Sequence, residues 1–187
     1  MAKRASRKLL DELPSTAEMQ RSIAGLRRQS DAVIALMGAA YLERALEALI
    51  ESRFRPLAAD EHARIFSGRG GGSLGTFAAK IDMAYAMKLL APIARDDLKL
   101  VNHLRNTFAH SLHKVSFSNP TIEADCKALK VREVAEAATG MLKPLAGAKD
   151  RFCWTVHTLY GGLIVALEDS RSGKFDTGPR ALHDKNN

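Results

Sequence analysis

The chain has 187 residues, which suits one domain with short tails, and 46% of them are hydrophobic, enough for a substantial core. Helix-forming residue types dominate, only 6% of the residues are aromatic, and segments of alternating β-branched residues are nearly absent. The composition argues against a sheet-based fold and predicts an all-α bundle of six to eight helices.

The net charge of +7 lies mainly at the two ends of the chain. Residues 1–29 contain seven Lys/Arg against three Asp/Glu, and residues 170–187 contain four against two, which leaves a surplus of one for residues 30–169. A folded surface that binds phosphates usually concentrates positive charge on itself. The charge pattern therefore disfavours nucleic-acid binding by the body and leaves the basic ends as the candidates for it.

At the N-terminus, residues 1–14 read as a basic flexible arm that ends at a proline. Ser15 and Glu18 have the spacing of a capping box, which predicts a helix from there to about Arg28. We expect the helical domain to cover residues 15–169.

The next segment, from Val33 to Phe54, has the strongest helical periodicity and should form a central helix. Its triplet Gly38-Ala39-Ala40 would let another helix approach closely. Pro56 ends the segment, and a shorter helix is predicted for Asp60 to Phe66. The apolar positions of the central helix form one broad stripe that we expect to be buried: Val33, Leu36, Met37, Ala40, Tyr41, Ala45, Leu46, Leu49 and Ile50.

A glycine-rich stretch, residues 68–76, formally contains the pattern G-x-G-x-x-G. A dinucleotide-binding loop needs a preceding β-strand, whereas a helix precedes this stretch, and no Gly-Lys-Ser/Thr follows it for a Walker loop. We interpret it as a flexible connection between helices. The helix after it is predicted for residues 76–90 and closed by Pro92.

The C-terminal third predicts three further helices. Val115 and Phe117 lie in a connector that should attach to the core. Asn119-Pro120 has the form of an N-cap followed by proline at the first helical position. The predicted helices cover residues 119–129, residues 131–143 up to Pro144, and a long segment from Asp150 to about Asp169, after which residues 170–187 read as a disordered polar tail.

The segment from about Arg95 to Leu112 predicts a helix that carries Arg105, Asn106 and His110. Asp96 and Asp97 would lie in its first turn, where negative charge suits the helix dipole. The remaining positions supply an apolar face: Leu98, Val101, Leu104, Phe108 and Leu112.

Residues 97–111, Asp-Leu-Lys-Leu-Val-Asn-His-Leu-Arg-Asn-Thr-Phe-Ala-His-Ser, resemble the mannitol operon repressor family, and Arg105 to His110 resembles the Arg-x4-6-His signature of HEPN domains. Residues 74–81 with Ala84-Tyr85, residues 38–40 with Leu42-Glu43, and residues 116–122 are similar to the family as well. The resemblance covers about residues 30–130.

This resemblance implies an all-helical, often dimeric, cytoplasmic bacterial protein that acts in transcription regulation as a repressor. The sequence contains no pair of short helices with a basic recognition face, so repression would act through a protein partner, either another regulator or a second copy of the chain. Direct nucleic-acid binding through the basic arm is a weaker hypothesis. No cofactor and no metal are predicted.

The HEPN resemblance also implies an alternative, a metal-independent ribonuclease of toxin type with Arg105, Asn106 and His110 as candidate catalytic residues. His110 could act as general acid or base, and Arg105 could hold a scissile phosphate. Five residues along an ideal helix correspond to a rotation of about 140°, so Arg105 and His110 of one chain do not share a face. Catalysis would need a bend in the helix or residues of a second copy.

A structural role for Arg105 is the other alternative. A buried guanidinium could pair with Glu43 or Glu47 of the central helix, and Arg105→Ala would then lower thermal stability. His103 and His113 are expected to face solvent or cap a helix. His103 and His110 could share a helix face, but no carboxylate or thiolate completes a metal-ligand set with them.

The two cysteines, Cys126 and Cys153, are far apart in the sequence and are expected to be reduced and buried. The apolar stretch from Phe152 to Leu167 is shorter than the roughly 20 residues that span a bilayer, so it predicts a core helix. No secretory signal is evident, and we expect a cytoplasmic protein with no membrane partner.

Overall fold

The computed structural model describes residues 13–26, 29–68, 71–111, 113–140 and 145–172. Within these residues the chain forms eight helices and no strand, which confirms the predicted all-α class. The helices are α1 (Thr16–Leu26), α2 (Asp31–Glu51), α3 (Ala59–Phe66), α4 (Phe77–Ala86), α5 (Pro92–His110), α6 (Pro120–Lys127), α7 (Val131–Thr139) and α8 (Ala148–Arg171).

Helix α2 is the centre of the bundle, as its periodicity predicts, and it packs against α8, α5 and α4. The predicted close approach occurs at Gly38, where a Cβ atom would lie 3.1 Å from the ring of Phe152 and 3.2 Å from a methyl group of Val156, both in α8. Only part of the apolar stripe is covered. Val33, Leu36, Met37 and Ala40 are exposed, contrary to the prediction for the stripe. Ile34, Ala35, Ala39 and Leu42, which lie outside the predicted stripe, are buried instead.

Helix α1 begins with the predicted capping box: the Glu18 carboxylate accepts from the Ser15 N–H at 2.9 Å, and the Glu18 N–H donates to Ser15 Oγ at 3.3 Å. Leu13 and Pro14, which the sequence analysis assigned to the arm, contact the body. Leu13 packs against the core, and the Tyr160 hydroxyl donates to the Pro14 carbonyl at 2.6 Å. The rest of the predicted arm, residues 1–12, lies outside the described residues.

The connection between α3 and α4 is compact rather than simply flexible, in its described part. The Leu74 N–H donates to the Ile65 carbonyl at 2.8 Å, which folds the loop back on α3. A Cβ atom at Gly72 would lie 2.6 Å from that carbonyl oxygen, and one at Gly75 would lie 2.8 Å from the Cα atom of Gly68. These glycines are explained by close backbone contacts, with no need for a ligand.

The prediction that Pro92 closes α4 is wrong, because Pro92 begins α5. Helix α4 already ends at Ala86, and Lys88 then adopts a positive φ of 57°. Proline suits the first position of a helix because its missing N–H would have no partner there.

This early start moves Asp97 out of the first turn of α5, where it was expected. Its buried carboxylate instead accepts from the backbone N–H groups of Lys130 at 2.9 Å and Val131 at 2.7 Å, and so caps the start of α7. Burial raises the pKa of Asp97, and the two backbone donors oppose that shift.

The remaining C-terminal helices follow the predicted order. Asn119 caps α6 by accepting from the Thr121 N–H at 3.0 Å. Phe117 attaches the preceding connector to the core, with ring centroids 5.0 Å from Phe108 and 5.3 Å from Phe152. Helix α7 ends at Thr139 with Gly140 at a φ of 67°, so it is shorter than predicted. Residues 141–144, including the predicted stop at Pro144, lie outside the described residues.

Helix α8 supplies the largest part of the opposing core face. It begins at Ala148, so Asp150 lies in its first turn instead of capping it. The helix continues to Arg171, two residues past the predicted end, and Ser170 Oγ lies 2.8 Å from Ser52 Oγ. Residues 173–187 of the predicted tail lie outside the described residues. Among the described helices, none is long and apolar enough to cross a membrane.

Cys126 and Cys153 are both buried, as predicted, and neither forms a disulfide within the described residues. Burial raises the pKa of the Cys126 thiol to about 12, so it stays protonated at physiological pH.

Candidate functional site

Helix α5 is regular from Pro92 to His110, so the residues of the Arg105 segment are placed by simple helical geometry. Leu98, Val101, Leu104 and Phe108 are buried, which fixes the rotation of the helix about its axis. Asn102, Arg105 and Asn106 lie beside this apolar face and are half-buried.

A groove of about 430 Å³ opens where α5 meets α2 and the start of α4. Arg105 and Asn106 both line it, and Arg105 Nη1 donates to Asn106 Oδ1 at 2.9 Å. This bond orients the guanidinium but leaves it charged and open to the groove. The lining residues are Glu43, Gly75, Thr76, Phe77, Ala78, Asn102, Arg105 and Asn106.

The predicted pairing of Arg105 with Glu43 or Glu47 is wrong. The cation that contacts both carboxylates is Lys80 of α4, whose Nζ lies 2.7 Å from Glu43 Oε1 and 2.8 Å from Glu47 Oε2. Within the described part of the chain, no carboxylate lies within ion-pair distance of Arg105.

Burial explains why the lysine, and not the arginine, ties these helices together. The Lys80 residue is 3% exposed, and an ammonium taken out of water needs close anionic partners to offset its lost hydration. Glu47 Oε1 is held in addition by Arg44 Nη1 at 2.8 Å. Arg105 is half-buried and keeps contact with solvent, so the fold does not require an anionic partner for it.

His110 is placed apart from Arg105. It is the last residue of α5, is exposed and does not line the groove, whereas Arg105 and Asn106 do. Helix α5 is continuous to His110, and the imidazole does not reach the groove. Within one chain, only Arg105 and Asn106 of the three candidate residues line it. Asn106 and His110, four positions apart, do share a side of the helix.

The other two histidines near this helix behave as expected. His103 is exposed, with Nε2 at 3.6 Å from Asp125 Oδ2, and His113 is exposed in the following connector. A search of the described residues finds no group of three or more His, Cys, Asp or Glu side chains that could hold a metal ion.

The exposed part of the α2 stripe borders the groove. Leu36 lies two turns before Glu43 on the same side of α2, and Ala40 lies one turn before it, while Glu43 lines the groove itself. Val33, Leu36 and Met37 are 38%, 37% and 41% exposed, which is unusual for large apolar side chains on a central helix. Met37 lies about 120° round α2 from Glu43, on the side where Tyr41 contacts Tyr160 of α8, and so points away from the groove. We call Val33, Leu36 and Ala40 of α2, together with Asn102, Arg105, Asn106 and Ala109 of α5, the α2–α5 face.

The two helices of this face run side by side in opposite directions. The Phe117 N–H, shortly after the end of α5, donates to Asp31 Oδ2 at the start of α2, at 2.8 Å. The Phe108 ring packs on Phe117 next to that bond. The face is thus built on two helices whose relative position is fixed at both the groove and this end.

Comparisons of the chain with protein-family models, with curated proteins and with solved structures each yield no match. The resemblance to the mannitol operon repressor family therefore rests on the sequence segments quoted above.

Sequence reasoning missed two components of the site. Lys80 could have been found, because it lies three residues after Phe77 and four before Ala84 and so falls on the buried side of α4. A lysine on an apolar helix face predicts a buried ion pair. The exposed stripe of α2 had no such signal, because an apolar stripe does not reveal which of its residues a neighbouring helix covers.

Proposed function

We propose that this protein is a non-enzymatic regulator that acts through protein contacts at the α2–α5 face. The observation that carries the proposal is the exposed apolar stripe of α2 beside an arginine that no carboxylate of the described chain neutralises. In line with the resemblance to the mannitol operon repressor family, we assign it a negative role in transcription in the bacterial cytoplasm.

The chemistry of the face suits a protein partner. Its exposed large apolar side chains favour association, because removing them from water on contact with a partner lowers the free energy. Arginine contributes often to the energetically dominant contacts of interfaces, because its planar guanidinium pairs with carboxylates and stacks on aromatic rings. A partner segment with an apolar surface and a carboxylate opposite Arg105 would satisfy both parts. A second copy of the chain is one such candidate.

Direct DNA reading by a helix-turn-helix is not supported. Helices α6 and α7 are joined by three residues, which is the spacing of that motif, but α7 lacks a basic face. Its one arginine, Arg132, is buried and pairs with Glu136, and Glu133 is among its exposed residues. Glu133 is in turn paired with Arg151 of α8, so α7 offers no exposed basic side chain of its own to the phosphates that flank a major groove.

A complementation experiment tests the proposal. In a strain that lacks the gene, the wild-type protein should restore the transcript levels that the deletion changes, and Leu36→Glu should not, since a carboxylate at this exposed apolar position beside the groove opposes docking. Val165→Glu is the matched control, because Val165 is 42% exposed on α8, outside the α2–α5 face. Full restoration by Leu36→Glu would rule out this face.

The ribonuclease alternative has one observation in its favour: Arg105 and Asn106 line an open groove and Arg105 has no carboxylate partner there. Incubation of the purified protein with mixed RNA in EDTA should leave the RNA intact if the protein is a non-enzymatic regulator. Cleavage that disappears in His110→Ala but persists in His113→Ala would establish the ribonuclease instead.

A further inference from the structure

A second and larger groove lies on the other side of Glu47, away from the α2–α5 face. It has a volume of about 890 Å³ and lies among the start of α1, the second half of α2, the start of α3 and the end of α8. The residues at its edge include Leu13, Pro14 and Ser15, the first three described residues of the chain. Residues 1–12 therefore continue directly from this groove.

The groove combines an apolar floor with negative charge. Its apolar lining includes Leu13, Leu57, Ile164 and Leu167. Four of its lining residues are glutamates and two are arginines, which leaves a surplus of two negative charges with histidine neutral: Glu18, Glu47, Glu51 and Glu168 against Arg44 and Arg171.

Two of these glutamates have partners in the fold, and two are open. Glu18 belongs to the capping box of α1, and Glu47 is held by Lys80. Glu51 and Glu168 are exposed, and the imidazole of His62 lies near Glu51, with Nε2 at 3.7 Å from Oε2. The free carboxylates thus lie on α2 and α8, on two sides of the apolar floor.

The sequence of residues 1–12 has the complementary pattern. It contains four basic residues and two acidic ones, Asp11 and Glu12. Its apolar pair Leu9-Leu10 lies three residues before Leu13 in the sequence. The basic residues are Lys3, Arg4, Arg7 and Lys8. We propose that this arm docks in the 890 Å³ groove of its own chain, with the leucines on the apolar floor and the basic side chains opposite Glu51 and Glu168.

The covalent connection makes even weak docking effective. A short tether holds its end at an effective concentration in the millimolar range, and twelve extended residues reach up to about 40 Å. The root of the arm is anchored, because the Pro14 carbonyl accepts from the buried Tyr160. Docking would neutralise the excess charge of the N-terminal end and compete with any binding of the arm to nucleic acid or another acidic partner.

Paramagnetic labelling of the full chain tests this docking. A nitroxide attached to Ala5→Cys is site-specific, because Cys126 and Cys153 are both buried and do not react with the label in the folded protein. At low ionic strength it should broaden the backbone amide signals of Glu51, Ala59 and Glu168, and leave that of Asp125 sharp. An arm without its basic side chains, with Lys3, Arg4, Arg7 and Lys8 all changed to Gln, should lose at least two-thirds of the broadening without any effect on the folded body.

The groove side of the contact has its own variants. Glu51→Gln with Glu168→Gln should reduce the broadening similarly, whereas Asp82→Asn with Asp96→Asn, two exposed carboxylates that do not line the groove, should not. Sharp groove signals in the wild-type protein would overturn the proposal. Broadening of an isotope-labelled chain by a nitroxide on a separate copy, at equal strength, would also overturn it and assign the groove to a second molecule.

Discussion

At the scale of single residues, Lys80 and Arg105 show how burial divides similar charges between structure and surface. Lys80 is enclosed and contacts two carboxylates, while Arg105 bonds a neutral amide and faces an open groove. The sequence shows both as basic residues on amphipathic helices. Which one meets Glu43 depends on how α4 and α5 pack on α2, and helical periodicity does not contain that information.

His157 is a second residue whose environment predicts a measurable effect. Burial lowers its pKa from the ordinary 6.5, and its Nε2 atom is enclosed without a hydrogen-bond partner among the described residues. Since the folded pKa lies below the unfolded one, the stabilisation is present above about pH 6.5 and is lost as the pH falls through the folded pKa.

We therefore expect the unfolding free energy of the wild-type protein to fall more steeply between pH 7 and pH 5 than that of His157→Gln, which does not titrate. Denaturant titrations at several pH values measure this difference. The control for a His-to-Gln substitution as such is His103→Gln, at an exposed imidazole. Parallel curves for His157→Gln and the wild type would contradict the assigned burial effect.

At the scale of helices, the sequence predicted the existence and order of the elements better than their ends. Pro92 can stop one helix or start the next, and only the early end of α4 decides between them. Asp97 resembled a first-turn carboxylate of its own helix but caps α7, 33 residues away in the sequence. Such caps arise from tertiary contact, which local spacing does not encode.

The loop between α3 and α4 permits a test at this scale. Gly72→Ala should lower the unfolding free energy by about 1–3 kcal/mol, because the new Cβ would meet the Ile65 carbonyl oxygen at 2.6 Å and the backbone must shift. Gly25→Ala is the matched control, since nothing lies within 4 Å of its Cβ position and alanine favours a helix. Thermal unfolding of both variants measures the difference. Equal stability of Gly72→Ala and the wild type would mean that the loop is loosely packed.

At the scale of the whole molecule, composition and periodicity were sufficient for the all-α fold, the central position of α2 and the buried role of α8. They misplaced part of the core face of α2, because periodicity does not say which apolar positions of a helix with many of them the neighbouring helices cover. Four predicted core positions are exposed (Val33, Leu36, Met37, Ala40), and four others are buried instead (Ile34, Ala35, Ala39, Leu42). The exposed positions on the groove side and the Arg105 groove together form the face to which we assign function. The sequence indicated the arginine, and the structure shows which side chains border it.

Arg105 contributes little to folding if it serves a partner, and much if it holds the helices together. Lys80→Met should lower the unfolding free energy by about 3–5 kcal/mol, because Glu43 and Glu47 then remain without their shared cation. Arg105→Met should change it by no more than about 0.5 kcal/mol, as is usual for a side chain without such a partner.

The direct measurement is the unfolding free energy of these two variants in the same buffer, by denaturant titration. A large loss for Lys80→Met with almost none for Arg105→Met is the predicted result. A loss for Arg105→Met as large as that for Lys80→Met would show that the arginine holds the helices together, and it would contradict the assignment of the α2–α5 face to partner binding.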